Sequence, residues 1–354
     1  MITLYGATGY TGQLIAHALD RARVPFRLAG RSAEKLAQLS AQLSAHPSQL
    51  VANVKSESSL KALFDDTALL INCVGPFTEL GEPVVAVAAA RGVHYLDITN
   101  EMAYVYRVQH YHELASRTGA AIVPACGFEV AIADCIVSQL AQAFTEPLEE
   151  VAVVYVLKAA GVSIGTRLSG LRTFATSWLA YRDGQLVGQI PGAALRQGQI
   201  NQRPYQALAF PSAETITLPT HIAARHITTW LAITRQSAGY VRALAPIVSA
   251  LLRTPLGWVT AQIIQRLLPP APEAARVKDR FFIQVEMTSR GQRRTQTWSG
   301  FDPYRLTADI AVYAAQVMTA PGYARAGVLA PSHALGAEAF LVWLKTIPEM
   351  TVSV

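Results

Sequence analysis

Short apolar runs and stretches of helical period take turns along the first third of the chain. "ITLY" is an apolar run, and after Gly12 the residues Leu14, Ile15, Ala18 and Leu19 recur at helical spacing. "FRLAG" is the next apolar run. It leads into "SAEKLAQLSAQL", whose Leu36, Leu39 and Leu43 share one face. Ser32 stands where a helix N-cap belongs, with Glu34 and Lys35 in the first turn. "ALLINCVG" reads as a buried strand, and "EPVVAVAAARG" as a helix that Pro83 starts and Gly92 stops. "VHYLDIT" is a further strand, a helix is expected from about Glu101 to Arg117, and "AAIVPACG" closes the series. Strands alternating with helices predict a doubly wound, mostly parallel α/β sheet.

The pattern changes in the middle. "EEVAVVYVL" alternates as a strand, and "TRLSGLRTFATSWLAY", residues 166–181, reads as a helix. "RFFIQVEMTSRGQRRTQTWSGFD" reads as a hairpin around the polar "SRGQRR", and "RLTADIAVYAAQVM" as a helix. Strands outside the alternating series predict a second α+β domain on a mixed or antiparallel sheet. The expected division is a first domain over 1–148 with a C-terminal return over 303–354, and a second domain over 149–302, used for substrate or oligomerisation.

From Ala238 to Leu268, Leu256, Val259, Ile263, Ile264 and Leu267 keep helical spacing, while Gln262, Gln265 and Arg266 mark another face. With Arg242 and Arg253 this has the look of a basic amphipathic pair that could rest peripherally on a membrane. A helix packed on the second sheet, or a homodimer interface, is the preferred reading.

Composition narrows the class. Of 354 residues, 51% are hydrophobic and 15% charged, which suits a large buried core and excludes a disordered chain. No uncharged apolar run reaches the roughly 18 residues of a membrane span. The chain opens inside its first strand, so no leader is expected and the cytoplasm is the expected location. Cys73, Cys126 and Cys135 lack metal or disulfide spacing, and the eight histidines form no ligand pattern. The net charge of +6 is spread out, without a basic block interleaved with aromatics. Nucleic acid is therefore not an expected partner; an anionic small molecule suits the charge.

Gly6, Ala7, Thr8, Gly9, Tyr10, Thr11 and Gly12 form the turn from first strand to first helix. Gly6 can make the tight turn, Gly9 can admit a diphosphate, and Gly12 can let the helix pack close. Helix N–H groups then face the phosphates. A plain glycine-rich turn is the alternative; the position, at the first strand of an α/β series, favours a Rossmann dinucleotide site. An acid at the end of the second strand would bind the ribose 2′-hydroxyl of NAD. Here the residues are Ala29-Gly30-Arg31-Ser32. Arg31 can pair with a 2′-phosphate, and Ser32 adds a donor, so the cofactor expected is NADP(H). Cys73, Val74, Gly75 and Pro76 end the fourth strand, where a loop could touch the nicotinamide ribose or simply turn.

"GATGYTG", "AGRS", "NCVGPFTELGEPVVAVAAARGVHYLDITNE" and "CGFEVAIAD" together resemble the saccharopine dehydrogenase-like oxidoreductases, which include the trans-acting enoyl reductases of lipid biosynthesis. The resemblance is dense over residues 1–135 and returns at "FDPYRLTA" and "GVLAPSHALG". Family members tend to carry a second glycine in the former motif and a threonine where Ala330 stands in the latter. They often carry a Ser/Pro pattern where Val130, Ala131, Ile132 and Ala133 lie; Phe128, Glu129 and Asp134 keep the pattern. The resemblance implies a Rossmann domain, NADP(H)-dependent reduction or oxidation, and an inserted second domain.

No Ser-His-Asp set, metal cluster or nucleophile elbow appears, as suits hydride transfer, in which the cofactor supplies the chemistry. Tyr95, Asp97, Glu101, Glu129 and Asp134 are the candidate proton donors, each with a structural alternative as a helix cap or core residue. The expected function is hydride transfer from NADPH to an apolar enoyl or carbonyl substrate. A C–N oxidoreductase of the saccharopine reductase type, for which Arg167, Arg172 and Arg203 could hold a dicarboxylate, and a non-catalytic NADP-binding sensor or scaffold are the alternatives.

Overall fold

The structure is a computed structural model that describes residues 1–158, 178–190, 194–233, 244, 246–252, 254, 257, 259 and 279–353. The chain forms two compact units. One comprises Met1–Asn100, Tyr104–Ala131 and Tyr304–Gly336; the other comprises Glu101–Ala103, Ile132–Pro303 and Ala337–Val354. The chain leaves the first unit after Ala131, where a boundary at 148 is expected, and returns to it at Tyr304. The helix Phe128–Ala141 starts in the first unit and continues in the second, and the chain re-enters the second unit at Ala337.

The first unit is built on a parallel sheet. Its strands are β1 (Ile2–Tyr5), β2 (Phe26–Gly30), β3 (Gln49–Val51), β4 (Leu69–Asn72), β5 (His94–Asp97) and β6 (Ala121–Val123). Their order is β3-β2-β1-β4-β5-β6, with Gly327–Val328 added beyond β6. This is the doubly wound Rossmann order, and its switch point lies between β1 and β4. Residues of β1, β4 and β6 are buried on both faces, which is why these strands read as continuous apolar runs.

The helices bury the predicted faces. α1 (Tyr10–Arg21) buries Ile15, Ala18 and Leu19, and α2 (Ala33–Gln42) buries Leu36 and Leu39. α3 (Glu57–Ala62) and α4 (Phe77–Leu80) are short. α5 (Glu82–Arg91) ends at Gly92, whose φ of 68° lets its N–H reach the Ala88 carbonyl. The helix expected from Glu101 to Arg117 is instead three pieces: α6 (Met102–Val108), a 3-10 turn over Gln109–Tyr111, and α7 (His112–Thr118). At the break the His110 ring takes the Arg107 carbonyl at 3.0 Å. α8 is the helix Phe128–Ala141.

The second unit holds a mixed sheet. Its strands are β7 (Leu148–Lys158), β8 (Trp178–Arg182), β9 (Gln185–Gln189), β10 (Leu195–Ile200), β11 (Arg203–Ala209), β12 (Ala224–Ile233), β13 (Arg280–Ser289) and β14 (Gln292–Phe301). The order is β10-β11-β12-β7-β13-β14, with Thr351–Ser353 on the β14 edge and the β8–β9 hairpin on β12. β7 and β12 run parallel; the other pairings are antiparallel. The β13–β14 hairpin turns on Arg290 and Gly291, both at positive φ, as a two-residue loop between twisted strands requires.

The helix expected over 166–181 is corrected at its end. Trp178–Arg182 is a strand paired with Gln185–Gln189 around Asp183 and Gly184; residues 166–177, with Arg167 and Arg172, lie outside the described residues. Most of 238–268 also lies outside them, including Ile263 and Leu267. Among the described residues no helix is long and apolar enough to cross a membrane.

Candidate functional site

Gly6 has a φ of +83°, and a Cβ there would lie 2.9 Å from the Cys73 carbonyl carbon and from Val74 Cγ2. Only glycine fits where the end of β1 presses on the end of β4. The N–H groups of Gly6 and Ala7 both bond to the Ala29 carbonyl, at 2.9 and 3.1 Å, which pins the turn to β2. A Cβ on Gly12 would run into the Gly6 carbonyl oxygen, so α1 packs on the turn with nothing between. Gly9 differs. A Cβ there would meet the Gly6 oxygen at 3.3 Å and no other described atom within 4 Å.

This leaves one side of the loop open beside the start of α1. The helix has no side-chain N-cap and no acid in its first turn, so its first N–H groups suit an anion. Thr8, Tyr10 and Thr11 are partly exposed around the opening, while Ala7 is buried. The Tyr10 ring meets Tyr304 edge to face at 5.1 Å. Tyr304 went unnoticed in the sequence because it lies in a distant segment.

At the end of β2, Gly30 is buried and Arg31 is exposed. Ser32 caps α2, its Oγ accepting from the Lys35 N–H at 3.3 Å, and its hydroxyl proton remains available to donate. Tyr5 lies close by. Burial pushes its hydroxyl pKa up, against a bond from the Val54 N–H and the Arg31 charge, which both lower it. Arg31 therefore stands at the carboxyl ends of β1 and β2, where the ribose 2′ group of a dinucleotide falls.

Beyond the switch point the strand ends are tied by buried polar groups. The Asn72 amide donates to the Tyr95 hydroxyl at 3.0 Å, and its carbonyl accepts from the Val74 N–H at 2.9 Å. Tyr95 and Tyr104 both donate to Asp97 Oδ2, at 2.9 and 2.8 Å. Asp97 Oδ1 accepts from the N–H groups of Thr99 and Ala125. None of these four side chains is exposed. Burial raises the Asp97 carboxyl to about 6 against those bonds, and pushes both tyrosines well above their usual value. The loop that follows β4 turns on a cis Gly75–Pro76 bond. Burial, then the Asp97 charge, raises the Cys73 thiol, which favours its neutral form.

The remaining acids separate. Glu129 is partly exposed in the first turn of α8, and its Oε2 accepts from Asn100 Nδ2 at 2.7 Å. Burial raises it, and the Asn100 bond partly offsets that. Glu101 is buried ahead of α6. Asp134, a candidate proton donor, lies inside α8 and in the second unit, buried at 3.0 Å from His221 Nε2. Asn72, Asn100 and Tyr104 were not singled out from the sequence. Their partners are remote in the chain, and periodicity carries no signal of that.

Residues 2–123 match the saccharopine dehydrogenase NADP binding domain. Residues 2–123 thus form a domain of that type, and NADP(H) is the cofactor of such a domain. The open side of Gly9, the bare start of α1 and the exposed Arg31 without a neighbouring acid fit the group. A trans-acting enoyl reductase of Mycobacterium leprae is 37% identical over 145 residues, 39% of this chain and 35% of that protein. One of Mycobacterium tuberculosis is 36% identical over 147 residues, 39% of this chain and again 35% of that protein. The match thus spans about a third of the length of these relatives. The apo saccharopine dehydrogenase (L-Glu forming) of Saccharomyces cerevisiae superposes with a TM-score of 0.69 over 99% of both chains at 11% identity, a likeness of fold.

Proposed function

We propose that this protein is an NADPH-dependent oxidoreductase that reduces an apolar enoyl or carbonyl substrate. The observation that carries the reading is the pairing of an open Gly9 cradle with an exposed Arg31 in the place of an acid. The residues from Gly6 to Gly12 would hold the diphosphate, Arg31 and Ser32 the 2′-phosphate, and Cys73 to Pro76 the nicotinamide ribose. The bound cofactor supplies hydride; the chain binds, orients and excludes water.

An apolar substrate is supported by the second unit. On one face of its sheet, Arg196 is paired with Glu150 at 3.2 Å and Glu286 at 2.7 Å, and Arg293 with Glu286 at 2.6 Å. These cations are already neutralised by the protein's own acids, so they do not offer a dicarboxylate site. Beside them lie Ala152, Val154, Trp230 and Phe282. The mycobacterial relatives are enoyl reductases by name, which favours an enoyl group. Cys73, Cys126 and Cys135 carry thiols rather than disulfides, which suits a reducing cytoplasm.

The test is NADPH consumption with a medium-chain enoyl thioester and with the matching ketone. Turnover with NADPH and little with NADH is expected. Turnover only with an imine formed from an aldehyde and an amino acid would move the protein to C–N chemistry. Tight NADPH binding without turnover of any of these would make it a non-catalytic NADP-binding module.

A further inference from the structure

In a sheet of this order the two halves of a dinucleotide lie over β1–β3 and over β4–β6. Arg31 belongs to the first half, so the nicotinamide falls on the second. The groups able to release a proton on or after the ends of β4, β5 and β6 include Cys73, Tyr95, Asp97, Glu101, Tyr104 and Glu129. Tyr95, Asp97 and Tyr104 are fully buried and bonded to one another. Glu101 is buried as well. Burial disfavours ionisation of the Cys73 thiol.

Glu129 is placed otherwise. Asn100, three residues past β5, reaches across to hold its Oε2 at 2.7 Å. The residue keeps contact with solvent, yet enough protein surrounds the carboxyl for burial to raise it. That combination describes a carboxyl that is oriented by a neighbour and still reachable.

Building on the NADPH reading above, we propose that the Glu129 carboxyl, steered by Asn100, faces the nicotinamide and supplies the proton that accompanies hydride transfer. In an enoyl reduction, hydride forms a C–H bond at one carbon of the double bond. The π pair forms the second C–H bond with the Glu129 proton as its O–H bond breaks, and water then reprotonates the carboxylate. In a carbonyl reduction the proton goes to oxygen. Either way the ring gains a positive charge as Glu129 gains a negative one, so the two are coupled.

Asn100 is bonded to Glu129; next to Glu129 in the chain the Phe128 N–H donates to the Thr307 hydroxyl at 3.3 Å, and Asp97 is bonded to Ala125 on the connection before α8. Among the described residues, burial and Asn100 account for the shift of Glu129. Asp97 also titrates, so the test compares variants rather than relying on a single pH curve.

The measurement is the ratio of NADP+ to NADPH affinity, titrated by protein fluorescence between about pH 4 and 8. The oxidised ring is cationic and the reduced ring neutral, while the 2′-phosphate, which titrates near pH ~6, is common to both and cancels. The ratio should shift toward NADP+ by ~10-fold or more as Glu129 ionises. E129Q should bind both forms and lose the Glu129 step, leaving at most the smaller change that Asp97 contributes. N100A removes a donor that favours the ionised carboxylate, so it should move the midpoint to higher pH; if E129Q does not fold, N100A decides. A flat ratio in the unmutated protein, the same curve in E129Q, or an unmoved midpoint in N100A overturns the Glu129 assignment alone. Failure of the unmutated protein to bind either nucleotide overturns the NADPH reading and this inference with it.

Discussion

Tyr104 donates its hydroxyl to Oδ2 of Asp97 at 2.8 Å, and neither side chain touches solvent. With Tyr95 and Asn72 the pair ties together the ends of β4 and β5, and Asp97 Oδ1 extends the tie to Ala125 beyond β6. A buried, satisfied network of this kind rigidifies what it joins. Tyr104→Phe keeps the ring and removes the bond. It should cost about 1–2 kcal/mol in urea unfolding while leaving NADPH affinity within about twofold. A loss of NADPH binding with unchanged stability would show that Tyr104 acts on the cofactor instead.

Asp97 carries a pH signature. Its carboxyl is raised from 3.8 to about 6 in the folded protein. Below the unfolded value the acid is neutral in both states and its contribution to stability is fully present. That contribution is lost as pH rises through about 6, because ionisation of the buried group is disfavoured. The shift corresponds to at most about 3 kcal/mol. Asp97→Asn does not titrate, so its stability relative to the unmutated protein should improve from about pH 4 to 7 by a comparable amount. A difference that stays constant across that range would contradict the assignment.

The glycines of the first turn should separate on mutation. Gly9→Val projects into the open side of the loop, where one oxygen at 3.3 Å is the near contact. The protein should fold and lose NADPH. Gly12→Val drives a side chain into the Gly6 carbonyl, and a clash of that kind costs roughly 1–3 kcal/mol or more. It should lower the thermal midpoint as well. Equal thermal midpoints for the two variants would mean that α1 does not need its close approach to the turn.

These contrasts show what the sequence made legible. Gly6, Gly9 and Gly12 sit at a strand-to-helix junction, and such spacing has few explanations. Ser32 capped α2 as its position required, because capping is a local act. The hub of Asn72, Tyr95, Asp97 and Tyr104 was hidden, since it is made of contacts between elements brought together only by the fold. Trp178–Arg182 was misread for another reason. Apolar residues at helical spacing outweighed Asp183-Gly184, a two-residue hairpin signal with both φ values positive in the structure.

In the second unit, Glu286 is buried and bonded to Arg196, Arg293 and Gln284. Burial raises its pKa, but the two arginines and Gln284 win, and the carboxyl lies below its usual value. Its contribution is therefore present above the unfolded value and is lost as pH falls. Glu286→Gln leaves Glu150 as the acid paired with Arg196 and should cost roughly 2–4 kcal/mol. NADPH affinity, a property of the first unit, should be unchanged in a fluorescence titration. Full stability in this variant would mean that solvent already screens the cluster.

The central claim is that Arg31 selects the phosphorylated cofactor. Parallel fluorescence titrations with NADPH and NADH, on the unmutated protein and on Arg31→Ala, test it most directly. A charge-assisted bond to the 2′-phosphate is worth about 1.5–3 kcal/mol, or roughly 10- to 150-fold in affinity. NADPH should bind more tightly than NADH by about that factor, and Arg31→Ala should remove most of the gap by weakening NADPH while sparing NADH. Equal affinities in the unmutated protein, or a preference that survives the loss of Arg31, would contradict it.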